Sequence, residues 1–145
     1  MEYRTMRLDE LLAAVAAPTP APASGTAAAL AGALAAGLAA LAAGVSGDEA
    51  GAAQANGLRE RLAELAEEDA AAYTAFVRER TPDTCARIVE VPEAIAAAAR
   101  AVGELGLRLA DGGKPSVRGD ALAAVDLARG AEQAARRLVE INRAG

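Results

Sequence analysis

Residues 18–44 read PTPAPASGTAAALAGALAAGLAALAAG, and this stretch decides the fold. Proline disfavours a helical conformation in the residue before it, so the three prolines that open the stretch predict an extended loop. From Thr26 onward the leucines recur every three or four residues among alanine and glycine, which is typical of a helix. No charged residue occurs between Glu10 and Asp48. A helix that is apolar on all sides belongs either in a protein interior or in a bilayer.

The protein interior suits this helix better than a bilayer does. Alanine and glycine contribute little to membrane insertion, and the ends of the segment lack the aromatic and basic residues that flank membrane spans. A signal peptide is a poorer match still, because an amphipathic segment containing Asp9 and Glu10 precedes the apolar run. We therefore predict a buried central helix and no association with a membrane.

The length and composition favour one all-α domain that covers residues 1–145. Apolar residues make up 53% of the chain and aromatic residues 2%. An alanine-rich core buries little area per residue, so we expect a homodimer or larger assembly to add stability. No strand pattern occurs, and helices are predicted to begin near residues 6, 26, 58, 81, 92 and 119. The predicted architecture is a bundle of five or six helices around the central alanine-rich helix.

The charged and reactive residues exclude several classes of function. A net charge of −5 without a basic stripe excludes nucleic acid as a partner. Cys85 is the only cysteine, so the chain has no disulfide framework and a reducing cytoplasm is the expected compartment. The chain has no histidine, which removes Ser–His and Cys–His nucleophiles and most zinc sites. We predict no metal site, and proton transfer is left to Asp, Glu, Lys, Tyr or water.

Three positions could contribute to a site. The turn before the central helix can supply a helix cap or free N–H groups that bind an anion or a carbonyl, and a cap is the commoner use. Asp69 lies in the same helical stripe as Leu65 and Tyr73, so it either makes a buried hydrogen bond or has a function. Asp120 heads the stripe of the last helix, where it is a cap or a second inward-facing acid.

Six segments follow one another in an order that is typical of a known family. They are residues 8–16 (LDELLAAVA), 20–29 (PAPASGTAAA), 67–76 (EEDAAAYTAF), 91–92 (VP), 112–120 and 141–142 (IN). Over nearly its whole length the chain resembles the cyclodeaminase/cyclohydrolase family. That family includes the cyclodeaminase domain of formiminotransferase-cyclodeaminase and the methenyltetrahydrofolate cyclohydrolases. The chain departs from the family pattern where Ala23 and Ser24 replace two of three loop glycines.

The resemblance implies a function as well as a fold. Members are all-α, assemble as dimers or larger, and act on tetrahydrofolate derivatives without a tightly bound cofactor. They expel ammonia from formiminotetrahydrofolate or add water to the methenyl form. By this resemblance Asp69 and Asp120 are candidates for proton transfer or for binding the pterin. The substrate-binding residues that it implies are Ser24, Gly25, Thr26, Tyr73 and Lys114.

Three functions remain open at this point. The first is a folate-linked cyclodeaminase or cyclohydrolase. The second is the same scaffold used for cyclisation or dehydration of a different small molecule in a specialised bacterial pathway. The third is a helical dimer that binds a ligand without catalysis. Affinity for a folate separates the first function from the other two, and loss of turnover on removal of the Asp69 carboxylate separates an enzyme from a binding protein.

Overall fold

The computed structural model describes residues 2–145, and within that range the protein is helical with no strand. Five α-helices and two short 3-10 helices, Tyr3–Thr5 and Pro115–Val117, follow one another. The α-helices are α1 (Leu8–Ala16), α2 (Ser24–Val45), α3 (Glu49–Arg78), α4 (Pro82–Gly112) and α5 (Arg118–Ala144). The all-α prediction and the predicted number of helices are therefore confirmed.

The four long helices form an antiparallel bundle in which each helix runs opposite to the one before it. α2 packs against α3 and α5, α4 packs against the same two helices, and α2 meets α4 across the centre. Short connections join the helices, as antiparallel bundles require. One end of the bundle, which we call the Ser24 end, holds the starts of α2 and α4 and the ends of α3 and α5. The opposite end, which we call the Ser46 end, holds the other four termini.

The buried side of α2 consists mainly of alanine. Two of its leucines, Leu30 and Leu38, pack at the edge of the core, and the other two, Leu34 and Leu41, face outward. Ala29, Ala36 and Ala43 are fully buried, whereas Leu34 is 70% exposed. The larger core side chains come from the facing helices, among them Leu62, Leu65, Ile95 and Leu105. The α2 helix is thus buried on one side only, whereas the sequence analysis predicted that it would be buried on all sides. Small side chains let neighbouring helices approach closely, and the bulk that fills the core then has to come from those neighbours.

The length and composition of α2 would also allow it to span a membrane. Its most apolar window has a mean hydropathy of 2.0, and 44% of that window is buried within the bundle. The core helix of a water-soluble bundle has the same length and composition, and the buried alanine side of α2 is what such a helix requires. The expectation of no membrane association stays a prediction.

Two helix boundaries differ from those predicted. α3 begins at Glu49 and not near residue 58, because Asp48 caps it by accepting a hydrogen bond from the Gly51 N–H at 2.8 Å. α4 continues through Pro92, where a helix break was predicted. Proline has no N–H, so the carbonyl of Ile88, four residues earlier, loses its usual partner. The Asn142 side chain replaces that partner by donating to the Ile88 oxygen at 2.8 Å.

We expect Asn142→Ala to destabilise the protein by about 1–3 kcal/mol, because it leaves the partly buried Ile88 carbonyl without a donor. In a Pro92→Ala background residue 92 regains its N–H, so the same change should cost less than about 0.5 kcal/mol. Urea unfolding of the wild type, both single variants and the double variant measures the difference. Equal costs in the two backgrounds would show that Asn142 does not serve the Ile88 carbonyl.

Candidate functional site

A cavity of about 400 Å³ opens at the Ser24 end of the bundle. All four long helices and the loop that precedes α2 contribute to its wall. Its polar lining residues are Thr19, Ser24, Asp69, Tyr73 and Asn142. Its larger apolar lining residues are Ile88, Leu138 and Ile141, and no lysine or arginine of residues 2–145 lines it. Among these described residues Asp69 is therefore the one ionisable carboxyl group in a largely neutral cavity.

The Asp69 carboxylate lies against the first turn of α2. The backbone N–H of Thr26 donates a hydrogen bond to it, and a Cβ atom added at Gly25 would overlap the carboxylate. The first N–H groups of a helix have no partner within the helix, and they carry partial positive charge. An acid from α3 therefore caps α2, and Gly25 makes the approach possible because it has no side chain.

This environment changes the acidity of Asp69. Burial in the bundle raises its pKa to about 6, and the Thr26 hydrogen bond opposes that rise. Burial disfavours the ionised form, while an N–H donor favours it. Because the resulting pKa lies close to neutral pH, the same group can accept a proton and return it within one reaction cycle.

Ser24, Gly25 and Thr26 have three different positions at the site. Ser24 lines the cavity, and Gly25 contacts Asp69. Thr26 is fully buried, and its hydroxyl donates to the Ala66 carbonyl at 2.9 Å, which ties α2 to α3. The hydroxyl of Thr26 is thus occupied, and only its N–H reaches the site. The prediction that the turn before the central helix supplies a helix cap is wrong, since neither the Ser24 nor the Thr26 side chain caps α2.

Tyr73 lies one turn beyond Asp69 on α3 and lines the cavity beside it. Its ring is half exposed and lies 6.0 Å from the ring of Phe76, with an angle of 33° between the ring planes. The Arg80 guanidinium lies over the Phe76 ring, 4.8 Å from its centre. Tyr73 thus belongs to a short aromatic row that continues from the cavity wall toward the end of α3.

Asp120 and Lys114 lie at the Ser46 end. The Lys114 N–H donates to the Ser46 hydroxyl at 2.9 Å, and Asp120 lies in the first turn of α5. Since α2 has 22 residues, the two ends of the bundle are about 30 Å apart. The structure therefore does not bring Asp120 or Lys114 together with Asp69 within one chain.

A known protein family matches the chain over almost its whole length. The model of the formiminotransferase-cyclodeaminase family matches residues 7–145. The chain belongs to this family. A crystal structure of formiminotetrahydrofolate cyclodeaminase from Thermotoga maritima has the same fold, with a TM-score of 0.91 at 22% sequence identity. The match covers 96% of this chain and 79% of that one. No curated protein matches the sequence of this chain.

Sequence reasoning missed several residues of this cyclodeaminase-family site. Leu138 and Ile141 were placed only in the apolar stripe of the last helix, and Ile88 was not considered, because the apolar lining of a cavity has the same pattern as a core. Tyr3, which lies outside this cavity, was also not considered; it is buried against α3, and its N–H donates to Glu67. Burial, with smaller contributions from the charges of Glu67 and Asp69, raises the Tyr3 pKa. The Tyr3 phenol therefore stays neutral at neutral pH.

No metal site accompanies the cavity within residues 2–145. In that part of the chain no group of three or more Asp, Glu and Cys side chains is placed to hold an ion. The chemistry of the site has to be considered from Asp69, the hydroxyl groups and the backbone N–H groups that line it.

Gly25→Ala should displace the Asp69 carboxylate from the start of α2, because the new methyl group would occupy its position. We expect a loss of about 2–4 kcal/mol in the free energy of unfolding, since the first turn of α2 also loses its cap. Gly57→Ala is the matched control, because it lies within α3 with open space around it and should be neutral or slightly stabilising. Thermal unfolding measures the stability of both variants. Equal stability of Gly25→Ala and Gly57→Ala would contradict the close contact between Gly25 and the Asp69 carboxylate.

Asp69→Asn should stabilise the protein at neutral pH. The native wild type keeps its proton up to about pH 6, while the unfolded chain releases it near 3.8, so wild-type stability falls as pH rises through this window. Asparagine cannot ionise, and its side-chain oxygen can still accept from Thr26. We expect a gain of about 1–3 kcal/mol above about pH 7 that vanishes near pH 4. A difference independent of pH would contradict the raised pKa.

Proposed function

We propose that the chain is a cyclodeaminase-type enzyme that acts on a one-carbon adduct of tetrahydrofolate. The observation that carries this proposal is the Asp69 carboxyl, with a pKa of about 6, in a cavity that residues 2–145 line with no other ionisable carboxyl and no basic residue. The Thermotoga maritima protein of the same fold is a formiminotetrahydrofolate cyclodeaminase, which agrees with this choice of substrate. The cavity volume lies within the range of about 300–1,000 Å³ that is usual for small-molecule sites.

The charge of the cavity suits the cationic groups of this chemistry. A protonated formimino group and the methenyl product each carry one positive charge that is shared over nitrogen and carbon. An ionised Asp69 stabilises such a charge, and the stabilisation is stronger where little water competes. The apolar side chains of Ile88, Leu138 and Ile141 supply a surface for a flat ring next to the acid.

Asp69 can account for the proton balance of ring closure. The secondary amine N10 of the substrate attacks the formimino carbon and becomes positively charged when the new C–N bond forms. Ionised Asp69 takes the proton from N10 and gives it to the amino group on the same carbon. The C–N bond to that amino group then breaks, ammonia leaves with the bonding electrons, and the positive methenyl ring remains. Asp69 ends the cycle ionised, as it began.

The same group could serve methenyl hydrolysis. In that reaction ionised Asp69 would take a proton from the water that attacks the methenyl carbon and give it to the ring nitrogen whose C–N bond breaks as the ring opens. The hydroxyl proton of the adduct is then lost to solvent, which leaves the formyl product. Both reactions, ring closure and methenyl hydrolysis, require Asp69 to be ionised at the start. We propose further that the enzyme works without a tightly bound cofactor, as a homodimer, and in the reducing cytoplasm that the unpaired Cys85 suits.

The first test is a thermal-shift titration with 5-formyltetrahydrofolate, a stable compound that resembles the substrate. A saturable rise in melting temperature is expected, because the ligand binds only the native state. No shift at millimolar ligand would exclude the folate proposal and favour a different small molecule on the same scaffold.

Asp69→Asn should lower the turnover of formiminotetrahydrofolate by roughly 10²–10⁴-fold, because it removes the group that moves the proton. Wild-type turnover should fall as pH drops below about 6, since protonated Asp69 cannot accept a proton. Asp126→Asn, at an exposed acid on α5, is the control and should leave turnover unchanged. Full activity of the Asp69 variant would refute the assignment.

A further inference from the structure

A row of two aromatic rings and one arginine leads out of the cavity along α3. Asp69, Tyr73 and Phe76 are spaced by four and three residues, so they share one side of the helix. Tyr73 lines the cavity and is 37% exposed, and the Phe76 ring follows at 6.0 Å. Arg80 ends the row, with its guanidinium 4.8 Å from the centre of the Phe76 ring. We call Tyr73, Phe76 and Arg80 the α3 row.

The positive charge at the end of the α3 row is not used within the described part of the chain. Arg80 is exposed, and no carboxylate of residues 2–145 pairs with its guanidinium. The cation–π contact with Phe76 holds the guanidinium in place. An arginine matches a carboxylate in shape and can bind it through two parallel hydrogen bonds. The end of the row therefore offers a position for an anionic group.

The cavity itself offers no position for an anionic group. No lysine or arginine of residues 2–145 lines it, and an ionised Asp69 repels anions. A one-carbon adduct of tetrahydrofolate carries its positive charge at the pterin and its negative charge on the glutamate tail. The positive end of this molecule suits the cavity, whereas the carboxylates of the tail have to lie outside it. Such a ligand needs a cation beyond the cavity wall, and the α3 row leads to one.

The spacing of the two charges on the protein agrees with the length of this ligand. Asp69 and Phe76 are seven residues apart in α3, which is about 10 Å along the helix axis. The Arg80 guanidinium lies over Phe76, so the arginine is at about the same distance from the acid. In the ligand a benzoyl ring and an amide separate the one-carbon group from the nearest glutamate carboxylate, which is about 10 Å at bond lengths of about 1.3–1.5 Å. The two pairs of opposite charges can therefore form together.

We propose that the α3 row is the subsite for the p-aminobenzoylglutamate tail of the substrate. The benzoyl ring lies against the exposed side of Tyr73 and next to Phe76, since aromatic rings attract one another in offset or tilted arrangements. The glutamate carboxylate accepts hydrogen bonds from the Arg80 guanidinium. The row thus selects a folate with its charged tail over a bare pterin. This role of the α3 row rests on the proposed function, because the tail belongs to the substrate proposed there.

The first test compares 5-formyltetrahydrofolate with its diamide, in which the glutamate carboxylates are uncharged. Isothermal titration should show that the wild type binds the charged ligand roughly tenfold more tightly. Arg80→Gln should reduce this preference to less than about twofold, and Arg80→Lys should keep part of it, because lysine retains the charge without the fork. Arg78→Gln is the matched control and should keep the wild-type preference, because Arg78 is exposed on the opposite side of α3, beside Tyr3. Circular dichroism establishes that each variant is folded.

The second test uses p-aminobenzoylglutamate, the tail without its pterin. Saturation-transfer NMR should detect binding of this fragment to the wild type and to Arg78→Gln, and a signal at least threefold weaker with Tyr73→Ala or Arg80→Gln.

The two proposals fail separately. A wild type that binds the folate and its diamide equally well, or an Arg80→Gln variant that keeps the full preference, would overturn the subsite and leave the proposed function standing. Binding of the fragment at the α3 row together with a failed folate titration would overturn the proposed function and leave a site for aromatic acids. If the wild type binds neither the folate nor the fragment, both proposals are wrong.

Discussion

The close approach of neighbouring helices to the alanine side of α2 is the constraint on which the rest of the structure depends. At Gly32 the methyl groups of Leu62 lie near enough that an added Cβ would be 3.2 Å from them. At Gly25, two turns earlier, the same closeness brings the Asp69 carboxyl against the helix backbone. The small residues that let the helices pack closely thus also allow the Asp69 carboxyl to reach the first turn of α2, where free N–H groups are available.

The polar groups at the Ser24 end divide into those that hold the bundle together and those left for a ligand. The Thr26 hydroxyl and the Asn142 amide donate to the carbonyls of Ala66 and Ile88, so the Thr26 hydroxyl proton and one of the two Asn142 amide hydrogens are already in use. Asp69 keeps acceptor capacity beyond its bond to Thr26, and the Ser24 hydroxyl faces the cavity. Burial that destabilises the ionised acid also gives it a pKa suited to proton transfer, so stability and chemistry make opposite demands on one residue.

Local sequence patterns predicted the helices and the inward-facing position of Asp69. Contacts between residues far apart in the sequence determine which side of α2 is buried and whether α4 continues through Pro92, and local patterns do not contain them. The sequence could not predict which side of α2 is buried. Alanine and leucine are both apolar, and periodicity does not show which of the two faces the core. Pro92 indicated a break because the donor that replaces its N–H, Asn142, lies on a different helix. Asp120 and Asp69 lie at opposite ends of the bundle because of the lengths and directions of the helices that carry them. A short sequence motif around either residue gives no information about these lengths and directions.

The outward leucines of α2 have no function in the core of one chain. Alanine, together with small residues such as Gly32 and the partly buried Leu30 and Leu38, fills the space between α2 and its neighbours. Leu34 and Leu41 on the opposite side add exposed apolar area, the reverse of an ordinary surface helix. One helix therefore acts at two levels: its inner side sets the packing of the bundle, and its first turn holds the acid.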